Sequence, residues 1–249
     1  MTATVDPLAD TTLVLLTLNE VEGLRDCFDA IPMDRCGEVL AVDGGSTDGT
    51  RELLAGRDVP ILDQDVPGRG EAFRVAARSA KFDKLIYYSP DGNEDPGDIV
   101  RLAERLAGGA DLVIASRFLP ESRNEEDDHL LRPRAWVNQT YTAVANLLFN
   151  REGPWVSDCI NGFRAIRKPL MDRLELTEEK FPIEYQMTIR SMKAGYRIEE
   201  FATYEGDRVG GESKAKSLSV GAGHLKILGH EVLRAAARRA LRRGQQDGA

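Results

Sequence analysis

Cysteine is scarce and scattered: the 249-residue chain has only Cys27, Cys36 and Cys159, an odd number with no CxxC pair and no Cys/His cluster. That excludes a disulfide framework and a zinc site of ordinary spacing, and it points to a reducing compartment. Long apolar runs are missing too, since no stretch approaches the roughly 18–20 apolar residues that a membrane-spanning helix needs. Met1 to Asp10 carries Asp6 and Asp10 but no Lys or Arg, unlike a secretory leader. Nor is there an excess of positive charge. Lys and Arg number 33 against 41 Asp and Glu, a formal net charge of −8, which argues against a nucleic-acid partner. These absences lead to the expectation of a cytoplasmic protein. What remains is an ordinary soluble composition, 42% hydrophobic and 30% charged, long enough to build a core without staples.

The first half alternates strand and helix patterns. Thr12–Leu18 (TLVLLTL), Glu38–Val42, Val59–Leu62, Lys84–Tyr88 and Ala110–Ala115 read as short apolar strands, with helical segments between them. Continuous apolar strands of this kind are covered on both faces, so the expected fold class is α/β with a mainly parallel, doubly wound sheet. Such sheets bind ligands beyond the carboxyl ends of their strands. Asn19-Glu20, Asp43, Asp91 and Ser116-Arg117 all follow strands and are expected to converge on one crevice.

The second half is less regular. Residues 117–134 form a long polar segment that suits a lid or an acceptor loop. Arg134–Phe149 reads as a helix with Trp136, Thr140, Val144, Leu147 and Leu148 as its apolar stripe. Phe163–Ile166 and Arg197–Thr203 read as strands, Ile183–Ala194 as a helix ended by Gly195, and Leu218–Arg243 as a terminal helix. The expected organisation is a polar extension over 1–11, a main domain over 12–216, and a basic helix and tail over 217–249.

The chemistry centres on Ser89-Pro90-Asp91-Gly92-Asn93. A carboxylate at the end of a buried strand can hold Mg²⁺ or Mn²⁺ against a diphosphate, because these hard cations take oxygen ligands and borrow the rest from phosphate and water. The same loop could instead be a turn in which Asp91 and Asn93 satisfy backbone groups. Arg117, Arg208 and Lys214 lie in loops of an acidic chain. They suit a departing diphosphate, whose negative charge grows as its bond breaks.

Eight strings in order, LLTLNE (15–20), VDGGSTDGT (42–50), GRGEAFRVA (68–76), SPDGNEDPGDI (89–99), ASRFL (115–119), DCINGFRAIRK (158–168), IEYQMTIRSMKAGYRIEE (183–200) and RVGGESK (208–214), resemble the family 2 glycosyltransferases. Their order and spacing are similar to the dolichyl-phosphate mannose synthase and polyprenyl-phosphate glycosyltransferase branch. The resemblance implies a GT-A fold and an inverting, metal-assisted transfer of a sugar from a nucleotide-diphosphate donor of the GDP-mannose or UDP-glucose type. It implies that Leu16, Leu18, Glu20 and Asp43 line the nucleoside pocket, that Asp91 binds the metal, and that Asn93 lies beside it. Arg117 matches the arginine after the fifth strand, Arg208 and Lys214 the pair that closes on the diphosphate, and Arg132 and Arg134 the acceptor-phosphate site. Two positions depart from the pattern. Ser89 stands where the first carboxylate of the metal motif is usual, and Gly44 where a second acid follows Asp43.

A lipid phosphate acceptor is already anionic and needs no strong base, whereas a hydroxyl acceptor must lose its proton to a carboxylate. Asp158 is the first candidate for that base, with Asp127 and Asp128 next. The acidic run Glu125–Asp128 would repel phosphate and keeps a soluble hydroxyl acceptor in play. The loss at Ser89 keeps a non-catalytic sugar-nucleotide-binding protein in play. Finally, six basic residues and one acid lie between Lys226 and Arg243. Leu225, Leu228, Val232 and Ala236 share a face opposite His230, Arg234, Arg238 and Arg242. That pattern fits peripheral contact with an anionic membrane, a helix packed on the domain, or a partner-protein surface.

Overall fold

The computed structural model describes residues 6–124, 127, 132–180, 182–206, 208–209 and 217–246, with the side chains of 217–220 and 236–246 excepted. Lys214 and Asp128 lie outside the described residues, as do Glu125 and Glu126. So do the side chains of Ala236, Arg238 and Arg242.

Strand β1 (Thr11–Thr17) is buried along its whole length, which is what its unbroken apolar and β-branched run requires. It pairs in parallel with β2 (Glu38–Asp43) on one side and β4 (Lys84–Tyr88) on the other. The seven-stranded sheet has the order β3-β2-β1-β4-β6-β5-β7, with β3 at Ile61–Asp63, β5 at Leu112–Ser116, β6 at Arg164–Arg167 and β7 at Ile198–Ala202. Strand β6 alone runs against its neighbours, antiparallel to both β4 and β5. Its reversal brings the turn that precedes it to the edge where β4 and β5 end.

Alternation along β1 divides the core between the two faces of the sheet. Leu13 and Leu15 pack with Leu24 and Phe28 of the α1 region (α1, Val21–Cys27) and with Ile99 and Leu102 of α4 (Asp98–Ala107). Val14 and Leu16 pack with Phe73 of α3 (Arg69–Ser79), Phe149 of α5 (Pro133–Phe149) and Met187 of α7 (Ile183–Ala194). Helix α2 (Thr50–Ala55) follows β2, and a short helix not expected from the sequence, α6 (Lys168–Arg173), follows β6. Gly195 ends α7 in the left-handed region, as its position suggested.

The face of α5 differs from expectation, and that of α8 is divided. In α5 the bulky stripe faces out, with Trp136 and Leu147 57% and 77% exposed, while Thr142, Ala145 and Asn146 are buried. The cause is polar. Asn146 exchanges hydrogen bonds with the backbone of Val156, and Thr142 Oγ1 accepts from Cys159 N–H, so the helix turns its amide toward the following loop. Among the described side chains of α8 (Ser217–Gln246), Leu225 and Val232 are exposed, Leu228 is partly buried against the core, and His224, Ile227 and Glu231 are buried. Glu231 anchors that face through Arg190 (2.7 Å) and Lys193 (2.6 Å) of α7, and Arg234 pairs with Glu175 rather than projecting from an opposite row.

Candidate active site

A cavity of about 610 Å³ opens at the carboxyl edge of the sheet. Leu16, Leu18, Glu20, Asp91, Asn93, Arg117, Arg134 and Arg208 all line it. Glu20, Asp91 and Arg117 thus meet in one place, together with Arg134 from the first turn of α5, whereas Asn19 and Ser116 do not line it. Asp43, Asp158 and Arg132 do not line the cavity, and each is committed elsewhere.

Asp43 is a knot under the loop that follows β2. Its carboxylate accepts from Thr17 Oγ1, from the Gly45 and Ser46 N–H groups, from Ser46 Oγ and from Arg51 Nη1. Burial opposes its charge, but those donors outweigh it and hold the carboxyl below its usual range. The loop it shapes brings Gly44 to the cavity beside Leu18 and Gln64. Arg132 pairs with Asp127 at 2.6 Å.

Asp91 stands on a loop pressed against α1. A Cβ on Gly23 would lie 2.5 Å from Pro90 O and 2.6 Å from Asp91 Cα, so only glycine permits the contact. The Asp91 side chain is nearly buried, and that burial raises its pKa against the pull of Arg208, whose Nη2 lies 3.0 Å from Oδ2. Val209 N–H donates to Asp91 O and Gly206 N–H to Asn93 O, which straps the segment after β7 across the loop. Buried Glu94 is held well above the usual carboxyl range, first by desolvation and then by the Asp91 charge.

Beside Asp91, Asn93 donates from Nδ2 to Glu205 Oε1 at 3.4 Å, while its own buried Oδ1 has no hydrogen-bond partner. A carboxylate and an orphaned amide oxygen are hard donors that suit Mg²⁺ or Mn²⁺. Among the described residues, no group of three His, Cys, Asp or Glu side chains could hold a metal by itself. The remaining ligands would have to come from a diphosphate and water.

Arg117 and Asp158 form a buried pair, with Glu205 Oε2 3.7 Å from Arg117 Nη1. Nε and Nη2 reach Oδ2 and Oδ1 at 2.8 and 3.1 Å. Asp158 Oδ1 also accepts from the Ile160 and Asn161 N–H groups. Burial works against both charges. The partner outweighs it in each case, leaving Asp158 below and Arg117 above their usual pKa. A carboxylate so engaged, outside the cavity, orients Arg117.

Sequence reasoning passed over Gln64, Arg69, Glu184, Glu205 and His224, all of which line the cavity. Arg69 lies inside a quoted motif, but nothing in its spacing sets it apart from a surface arginine. His224 is clearer in retrospect, being a polar residue on the buried stripe of α8. It packs against the rings of Tyr141 and Tyr185 at 5.1 and 5.2 Å, and burial lowers its pKa to about 4.

With the geometry in place, comparison identifies the class. Residues 12–174 match the family described as glycosyl transferase family 2, and the chain belongs to that family. It is a glycosyltransferase with the GT-A fold that the motifs led us to expect. Glycosyltransferase AglJ of Haloferax volcanii is 29% identical over 198 residues, covering 77% of this chain and 61% of that protein, so the chain spans about three fifths of that relative. Polyprenol monophosphomannose synthase of Mycolicibacterium smegmatis is 26% identical over 244 residues, covering 90% and 88%. Among solved structures, glucosyl-3-phosphoglycerate synthase of Mycobacterium tuberculosis, in complex with Mn²⁺, UDP and glucosyl-3-phosphoglycerate, superposes with a TM-score of 0.65 at 18% identity, covering 88% and 78%.

Proposed function

We propose that the protein transfers a sugar from a nucleotide-diphosphate donor to a polyprenyl phosphate, with inversion at the anomeric carbon. The carrying observation is that Asp91, Asn93, Arg117 and Arg208 share one cavity with Arg134. One part of the cavity suits a diphosphate and its metal, and Arg134 suits an anionic acceptor. The relatives support the acceptor class: one is named a polyprenol monophosphomannose synthase, and another, from Micrococcus luteus and 29% identical, an undecaprenyl-phosphate mannosyltransferase.

In this reading Leu16, Leu18 and Glu20 hold the nucleoside, and Asp43 shapes the loop beside it. Asp91 and Asn93 would hold Mg²⁺ or Mn²⁺, which screens the diphosphate charge. Arg208, joined by Lys214, and Arg117 stabilise the departing nucleoside diphosphate, with Asp158 as the positioning residue for Arg117. Arg134, with Arg132 nearby in sequence, receives the acceptor phosphate. An oxygen of that phosphate forms the new bond to the anomeric carbon as the bond to the diphosphate breaks. Its negative charge makes a protein base unnecessary.

No described helix is long and apolar enough to cross a membrane. Helices α5 and α8 are joined through Tyr141 Oη–H to Gly221 O, and both leave apolar side chains in solvent: Trp136, Val137, Leu147, Leu225 and Leu233. We propose that this face and the basic tail rest on the cytoplasmic side of an anionic membrane, where a polyprenyl phosphate is presented.

The test is turnover on vesicles carrying undecaprenyl phosphate, with Mn²⁺ and GDP-mannose or UDP-glucose. Release of nucleoside diphosphate together with a lipid-linked sugar is expected. Release with a soluble hydroxyl acceptor, but not with the lipid, would overturn the acceptor assignment.

A further inference from the structure

We propose that Glu184 and Arg69 form the subsite that reads the hydroxyl groups of the transferred sugar. The inference rests on the donor reading above and adds residues that reading does not use. Glu184 is 2% exposed, in the first turn of α7, and it lines the cavity. Its backbone carbonyl accepts from Arg164 Nη1 at 3.0 Å and from Thr188 Oγ1 at 3.0 Å, so the residue is fixed from behind. Its Oε1 accepts from Arg69 Nε at 2.5 Å. Its Oε2 is buried and has no hydrogen-bond partner.

A buried carboxylate oxygen without a donor is costly unless a ligand supplies one. An ionised carboxylate only accepts, so the missing group must be a donor, and a sugar hydroxyl is the donor this cavity is built to receive. Position supports the same ligand. Arg69 Nη1 donates to Ser89 Oγ at 3.0 Å, two residues before Asp91. The Glu184–Arg69 pair therefore adjoins the place assigned to the diphosphate, where the sugar must lie. Arg69 also neutralises Glu184, so the carboxylate does not repel the incoming donor.

The pair has a built-in clearance. A Cβ on Gly162 would fall 2.0 Å from Arg69 Nη2, so the missing side chain makes room for the guanidinium. The colliding atom is the far end of a flexible side chain, so Gly162→Ala displaces Arg69 without forcing the backbone.

The experiment is calorimetric titration of the full chain, in Mn²⁺, with GDP against GDP-mannose and UDP against UDP-glucose. Glu184→Gln is expected to weaken the sugar nucleotide about ten- to a hundredfold, the range for a hydrogen bond to a charged group, while leaving the bare diphosphate within about twofold. Gly162→Ala is expected to show the same selective loss, and Arg69→Lys, which keeps the charge but not the planar fork, decides the matter if Glu184→Gln does not fold, because it adds no bulk to the cavity. Equal weakening of both ligands, or an unchanged preference for the sugar form, would overturn the subsite. If the unaltered chain bound neither diphosphate, the donor reading beneath it would fall as well.

Discussion

Asp158 grips Arg117 with both carboxylate oxygens from a position with no exposure of its own. The arginine at the end of β5 is thereby aimed by a residue 41 positions further along the chain. Removing one member leaves the other poorly compensated in the interior, although Glu205 Oε2 still lies 3.7 Å from Arg117 Nη1. Asp158→Asn should cost about 3–5 kcal/mol of stability in urea titrations. A fully stable Asp158→Asn would show that Arg117 does not depend on the pair.

Arg208 stands where a cation would meet Asp91. Arg208→Ala should strengthen Mn²⁺ binding in the absence of nucleotide, because the carboxylate loses its resident counter-charge, and should weaken nucleoside diphosphate binding about tenfold or more. Asp91→Asn should abolish the metal-dependent part of nucleotide binding. Calorimetry with Mn²⁺ alone and then with GDP or UDP separates the effects, and an Asp91→Asn protein that still needed Mn²⁺ would remove Asp91 from the metal site.

Asn146 joins α5 to the segment that leads to Asp158. Its side chain donates to Thr142 O and Val156 O and accepts from Val156 N–H and Asn150 Nδ2. Asn146→Ala should destabilise the protein by about 2–4 kcal/mol, since it leaves buried backbone groups unpaired. A loss below about 0.5 kcal/mol would mean that water replaces the amide.

His224 makes stability depend on pH. Its pKa is lowered to about 4 in the fold, against an ordinary 6.5. Between those values the unfolded chain takes up a proton that the folded chain refuses. Its contribution is therefore fully present above about pH 6.5 and is lost as pH falls toward 4, at about 1.4 kcal/mol per unit. His224→Phe keeps an aromatic ring against Tyr141 and Tyr185 and should lose about 2 kcal/mol less than the unaltered protein between pH 7 and pH 5. Parallel losses in paired urea titrations would count against a neutral buried imidazole.

The sequence carried the parallel half of the sheet openly, because each of its strands is an apolar run bounded by turn residues and its ligand-facing end is fixed by direction alone. The same strand ends marked Asp91 and Arg117 as residues of one crevice, whereas Arg208, in the segment after β7, was expected there as a loop cation and from the family resemblance; all three line the cavity. Strand β6 was visible as a strand but not as a reversed one, since direction depends on where the chain returns from. The face of α5 was misread where buried polar groups, Asn146 and Thr142, outweighed the hydrophobic pattern, and the inward face of α8 was not legible because it is set by Glu231 with its two basic partners. Glu184 and Arg69 lie 115 residues apart and meet only in three dimensions. No local spacing announces them.

The reversed strand has a consequence for the nascent chain. Strands β4 and β5 are separated by β6 in the sheet, although β6 follows both in sequence. Until Arg164–Arg167 arrive, Lys84–Tyr88 is a bare edge of apolar residues, the kind of edge that recruits other chains. Translation at roughly 5–20 residues per second would leave that edge open for about 4–15 s. Strand β6 fills the gap between β4 and β5, and β5 keeps one open edge until β7 arrives. The protein should therefore be most prone to aggregation during synthesis, and a ribosome stalled between β5 and β6 should hold a chain that needs a chaperone.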